Sequence, residues 1–94
     1  MPRFTWNAAK ARSNLLKHGV AFEDAELVWR DPRHLLRFDR IEDGEERWHA
    51  IGLAGSVVVL LVAHTDTEDG DIIRLLSARR ATKAERKAYE NDDV

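Results

Sequence analysis

The stretch IIRLLSARRATKAERKAYE, from Ile72 to Glu90, brings Arg74, Arg79, Arg80, Lys83, Arg86 and Lys87 together against one acid, Glu85, before Glu90. Arginine carries a planar, permanently charged fork that fits two phosphate oxygens. Several arginines around one phosphate stabilise the extra charge of a pentacoordinate transition state. Such a set suits cleavage of RNA, whose own 2′-hydroxyl attacks phosphorus once a base takes its proton and an acid protonates the leaving 5′-oxygen. That scheme calls for no metal and no other cofactor.

A second group precedes it. Arg47 and His49 lie two residues apart in a run with strand character, so they share a face and can reach across to an arginine of the last strand. His49 is the best placed of the four histidines to move a proton. Trp48, between them, offers a stacking surface for a base. In the last strand, strict alternation puts Arg74, Leu76, Ala78 and Arg80 on one face and Ile73, Leu75, Ser77 and Arg79 on the other. Arg79 and Arg80 would then meet in one cleft only through a local turn at the strand's end. The plainer reading is that surface arginines beside acidic loops form exposed ion pairs of little energetic weight. Glu23 and Asp24 are placed as helix-start acids, and His18 sits where it can interact with a helix C-terminus. The histidines are dispersed, and none has the close spacing of a dedicated metal site.

These residues need elements to hold them. Phe4 to Trp6 reads as a short strand, and Asn7 is a good cap for a helix over Ala8 to His18, stopped by Gly19. In that helix Ala8, Ala11, Leu15 and Leu16 form the expected apolar stripe. Phe22, Ala25, Val28 and Trp29 predict a second helix, ended by Asp31-Pro32. From Leu35 the period becomes two, and Asp43-Gly44 marks a hairpin turn into Arg47 to Leu53. VVVLLVAH, from Val57, is apolar on both sides and suits a central strand covered on both faces. Asp69-Gly70 turns the chain into a last strand from Ile72. Thr82-x-x-Glu85 is a capping box that opens a final helix, and Asn91 to Val94 reads as a frayed tail. The expectation is an α+β domain, β-α-α-β-β-β-β-α, with an antiparallel sheet packed by two N-terminal helices and one C-terminal helix.

The chain's 94 residues fit a single domain over 1–94, and 44% hydrophobic with 34% charged residues is ordinary globular composition. The formal net charge of −2 conceals segregation of sign. Residues 1–18 are basic without an acid, whereas 39–46 and 66–71 form acidic loops, so a local positive surface is compatible with the overall balance. With no cysteine, disulfides, thiolate catalysis and sulfur-built zinc sites are excluded. The N-terminus lacks the pattern of a secretion signal, and the longest apolar run is far short of a bilayer span, which points to the cytoplasm and away from a membrane.

The assembled blocks, F-x-W-N, N-L-L-K-H-G-V-x-F-E-D-A, E-E-R and I-R-L-L-S-A-R-R-A-T-K-x-E-R-K-x-Y-E, resemble the BrnT family of toxins from bacterial type II toxin–antitoxin modules, from Phe4 to Glu90. The resemblance implies a RelE-like fold and a metal-independent endoribonuclease that blocks translation. It also implies a BrnA-like ribbon-helix-helix antitoxin in a two-plus-two complex, with DNA bound only through that partner. By likeness to the family's basic positions, Arg79, Arg80, Arg74 and Arg47 are the catalytic arginines. Glu23 or His49 is the proton carrier, and Lys17, Lys83, Arg86 and Trp48 are RNA contacts. Many members read T-x-R after the central strand where this chain has Thr65-Asp66-Thr67, so one phosphate-binding arginine is missing. A different class of function remains open: a catalytically weak interaction module whose basic face binds the antitoxin.

Overall fold

The computed structural model describes residues 2–56, 58–67 and 69–91. Val57 of the central apolar run, Glu68 of the second acidic loop and Asp92 to Val94 of the expected tail lie outside them. The expected element order is present: β1 (Arg3–Thr5), α1 (Ala8–His18), α2 (Phe22–Ala25) continuing as a 3-10 turn (Glu26–Arg30), β2 (Leu35–Glu42), β3 (Glu45–Ala54), β4 (Val58–Asp66), β5 (Ile72–Arg80) and α3 (Lys83–Asn91). The sheet runs β1-β5-β4-β3-β2. Its four hairpin-linked strands are antiparallel, and β1 adds to β5 in parallel, so the sheet is mixed. Among the described residues no helix is long and apolar enough to cross a membrane.

Local chemistry explains the boundaries. The Asn7 side chain accepts the Lys10 N–H at 3.0 Å, capping α1. Asp43 and Gly44 both have positive φ, 52° and 77°, as a tight primed hairpin turn requires. At α3, Glu85 Oε1 accepts the Thr82 N–H at 2.8 Å while Thr82 Oγ1 accepts the Glu85 N–H at 3.2 Å, the reciprocal capping box.

One face of the sheet, here the helix face, carries the main core. Val20, Phe22, Ala25 and Val28 pack on Ala50, Leu60, Val62, Ile73, Leu75 and Ala78. Of the apolar stripe expected on α1, Ala11 packs on this core but the two leucines are left open. Leu15 and Leu16 are 50% and 89% exposed, and the buried α1 residue is Asn14. Its amide donates to the carbonyls of Ala78 (2.9 Å) and Val20 (3.0 Å) and accepts the Ala78 N–H at 3.0 Å. A side chain thus satisfies the edge of β5 beyond the end of β1, where an unpaired buried backbone group would cost about 1–3 kcal/mol.

The opposite face is only half covered. Tyr89 of α3 packs on Leu35, Ile51 and Leu61. The Tyr89 hydroxyl donates to Asp31 Oδ2 at 2.6 Å, and the same oxygen accepts the Leu53 N–H at 2.8 Å. Burial works against the Asp31 charge, but hydrogen bonds from Tyr89, Leu53 and Arg33, with the field of His34, outweigh it and hold the carboxyl below its usual range. Beyond Tyr89 the side chains on this face are mostly polar.

Candidate active site

Two bulges decide which side chains reach this open face. In β5 the pairing steps from Ala63↔Ser77 to His64↔Leu75, leaving Leu76 as an extra residue. Parity therefore changes within the strand. Ile73 and Leu75 share the helix face with Ala78, as their common burial shows, and Arg74 shares the open face with Ser77 and Arg79. This corrects the strict alternation expected from sequence. In β2 the pairing shifts between Phe38↔Trp48 and Arg40↔Arg47, so Asp39 is the extra residue and Arg37 stands opposite His49.

The open face consequently has a polar row, Arg37–His49–Ala63–Ser77, beside an apolar row, Leu35–Ile51–Leu61–Arg79, that runs under α3. The two residues that follow His49 across the sheet, Ala63 and Ser77, have small side chains. Arg47 lies one step beyond on the strand of His49, and Arg74 pairs with Thr65 at the far side. Of the residues expected from sequence, Arg47, His49, Arg74 and Arg79 thus come together, with Lys83 and Arg86 exposed on α3 at the margin.

Others fall elsewhere. Arg80 points to the helix face and lines a pocket of about 350 Å³ with Gly19, Asp24 and Leu60. The expectation that it joins Arg79 in one cleft is overturned, because adjacent strand residues project to opposite sides and no turn intervenes before Ala81. Glu23 is exposed on α2, on the helix side of the sheet, and so cannot act as proton carrier beside His49. Trp48 also faces that side, edge-on to Phe38 with centroids 5.6 Å apart. Lys17 borders a shallow depression at the β5 edge with Ser13, Leu76 and Ser77.

The face is electrostatically balanced. Arg47 bonds Glu42 at 3.1 Å and Arg74 bonds Glu45 at 2.8 Å. Arg79 makes a two-pronged contact with Glu85, at 2.8 and 3.0 Å. The hydrogen bonds from Arg79 are the main reason that the Glu85 carboxyl is pulled down to about 2; burial opposes them and the Thr82 N–H assists. The second group is the histidine. Burial lowers the His49 pKa, as do the charges of Arg37 and Arg79, while Asp39 and Glu85 work the other way. Asp39 Oδ2 lies 3.5 Å from His49 Nε2 and orients the ring. At neutral pH the imidazole is therefore the uncharged form that can accept a proton. Arg47 also holds its Nε–H buried with no acceptor among the described residues, a donor that a bound anion would satisfy.

Sequence reasoning missed Arg37 and Asp39. Counting back from the Asp43-Gly44 turn puts Arg37 opposite Ala50, and only the bulge moves it to His49. Glu85 was visible as a capping residue, but nothing in its spacing signalled the clamp on Arg79. The other histidines have structural surroundings: His34 Nδ1 is 2.7 Å from the Asp31 carbonyl, and His64, 1% exposed, packs against Trp29. Where sequence notes a missing arginine, the Thr67 hydroxyl donates to Asp69 at 2.6 Å and accepts the Ile72 N–H, tying off the β4–β5 turn. Among the described residues no three histidine, aspartate or glutamate side chains gather as a metal site.

Residues 6–85 match the family described as "Ribonuclease toxin, BrnT, of type II toxin-antitoxin system". The fold is similar to that of the Brucella abortus ribonuclease toxin BrnT, known from a crystal structure at 1.1 Å resolution. The TM-score is 0.70 at 20% sequence identity, covering 88% of this chain and all of the other. No curated protein sequence matches.

Proposed function

Since the chain belongs to the BrnT ribonuclease toxins of type II toxin–antitoxin systems, we propose that its open sheet face is a metal-independent endoribonuclease site. His49 accepts the proton of a 2′-hydroxyl, that oxygen attacks the adjacent phosphorus, and the 5′-oxygen departs with a proton from water, leaving a cyclic phosphate. Arg47, Arg79, Arg37 and Arg74 hold the phosphate and stabilise its transition-state charge. To do so the phosphate exchanges with Glu42, Glu45 and Glu85, which already hold those guanidinium groups. RNA follows the basic margin past Lys83 and Arg86, and Lys17 extends it around the sheet edge. The observation that carries this reading is His49, its pKa lowered, set among three strands' arginines on the sheet face that α3 covers only in part. In the cytoplasm such cleavage blocks translation, and a BrnA-like ribbon-helix-helix antitoxin neutralises it in a two-plus-two complex that contacts DNA through the antitoxin.

The ion pairs on Arg47, Arg74 and Arg79 favour a second reading, in which the same face is a weakly catalytic or inert surface for the antitoxin. Turnover separates the two. Purified chain with total RNA in excess EDTA should give cleavage. His49→Ala, checked for folding by circular dichroism, should cut about 10²–10⁴-fold more slowly, as expected for loss of a proton-transfer group. Equal cleavage by parent and folded His49→Ala removes the histidine from the scheme, and no cleavage by the parent leaves the second reading.

A further inference from the structure

The helix face has an uncovered end of its own. Beyond the 3-10 turn, a groove of about 670 Å³ is floored by Leu36, Trp48 and His64 and walled by Glu45, Glu46, Asp66 and Asp69. Among the described residues that line it there is no lysine or arginine. Beside it on edge strand β2, Leu36, Phe38 and Ile41 are 43%, 53% and 65% exposed, far more than the packed side of a strand usually leaves open. Strict alternation would send Ile41 to the side opposite Phe38. The bulge at Asp39 instead returns it to the same side, opposite Glu46. The β2–β3 hairpin thus projects three large apolar side chains onto one surface, where Trp48 meets Phe38 edge-on and all three stay largely exposed.

We infer that this acid-walled apolar groove, with Leu36, Phe38 and Ile41, is the docking site of the antitoxin, and that it takes an amphipathic segment bearing large apolar side chains interleaved with lysine or arginine. The inference rests on the toxin–antitoxin reading above and adds the place and chemistry of the contact. Charge complementarity selects the partner: Glu46, Asp66 and Asp69, with Glu45 shared with Arg74, border the exposed Leu36, Phe38 and Ile41, an arrangement that favours a basic segment with large apolar side chains and repels RNA. RNA and antitoxin are accordingly recognised on opposite faces of one sheet. The β2–β3 turn joins them, because Glu45, which walls the groove, reaches Arg74 of the catalytic face.

The test is co-expression of the full chain with the protein encoded by the adjoining reading frame, followed by purification of the complex and measurement of its affinity. The groove variant is Ile41→Lys/Glu46→Lys/Asp66→Lys, three exposed positions away from the catalytic residues. It should bind that protein at least about a hundredfold more weakly, as for loss of an interface anchor with like charges added, while cutting RNA in EDTA as the parent does. Arg47→Ala should bind it normally. The assignment is overturned if the groove variant binds as the parent does, if Arg47→Ala alone loses binding, or if the adjoining protein does not bind the parent. It is also overturned if the parent is a dimer that the groove substitutions dissociate, since a second copy is then the occupant. RNA cleavage in the same preparations reports separately on the ribonuclease reading, so failure of one is not mistaken for failure of the other.

Discussion

The two faces of the sheet are made by the same strands, yet they use polar groups in opposite ways. On the helix face, the buried polar side chain of Asn14 is committed to backbone partners beside a closely packed apolar core. On the open face, Arg47, Arg74 and Arg79 are held by carboxylates on flexible stems at or near the surface, contacts that exchange readily with another anion. The first face gives the molecule its stability. The second holds charges in place while leaving each arginine partly exposed, which is the condition for using them on a ligand.

Substitutions can break this contrast. The largest effect belongs to the helix face: Phe22, fully buried, should lose about 3–5 kcal/mol of stability on mutation to alanine, read by urea unfolding. Next is the half-covered end of the open face. Tyr89→Phe leaves Asp31 without its shortest hydrogen bond, and a bond to a charged acceptor is worth about 1.5–3 kcal/mol. The effect should appear as a lower unfolding midpoint with little change in RNA cleavage. The His49 pKa lies below its ordinary 6.5, so the uncharged base predominates at pH 7. Cleavage should therefore fall on acidification with a midpoint below pH 6.5, by about tenfold per unit once the imidazole is charged. A midpoint above 6.5 would contradict the depressed value. The smallest stability effect should come from Arg74→Ala, whose exposed ion pair contributes roughly 0.2–1 kcal/mol. A large loss of cleavage in that variant would set activity and stability apart on the open face, and a large loss of stability would erase the contrast.

Much of the architecture was legible because it depends on local signals. Asn7, Gly19, Asp43-Gly44 and the Thr82–Glu85 box each act within a few residues, and each ends or starts an element where expected. The pairing of Arg47 with His49 on one face was legible for the same reason. What failed depends on register. A bulge has no composition of its own, so Leu76 and Asp39 gave no sign that the faces of β5 and β2 would change partway along. Arg37 was overlooked for that reason, whereas the expected grouping of Arg79 with Arg80 failed because the strand stays regular through both and no turn brings them together. The α1 stripe failed differently: periodicity counted Leu15 and Leu16 as core, while the helix is seated by an amide that completes a strand edge, a contact 64 residues away in sequence.

The bulge at Leu76 also bears on how this protein can change over generations. Single-residue deletions in a strand are usually read as a lost contact. Here, removing Leu76 would set Leu75 and Ser77 side by side opposite His64 and Ala63, restoring regular alternation with every downstream side chain on its present face. Removing Ala78 from the regularly paired stretch would instead turn Arg80 to the open side and Arg79 to the region beneath α1 and α2, leaving Glu85 without its partner. The extra residue is therefore a place where Ile72–Arg80 can shorten at small cost. Lineages of this protein should tolerate a gap at Leu76 far more readily than one among Ser77 to Arg80.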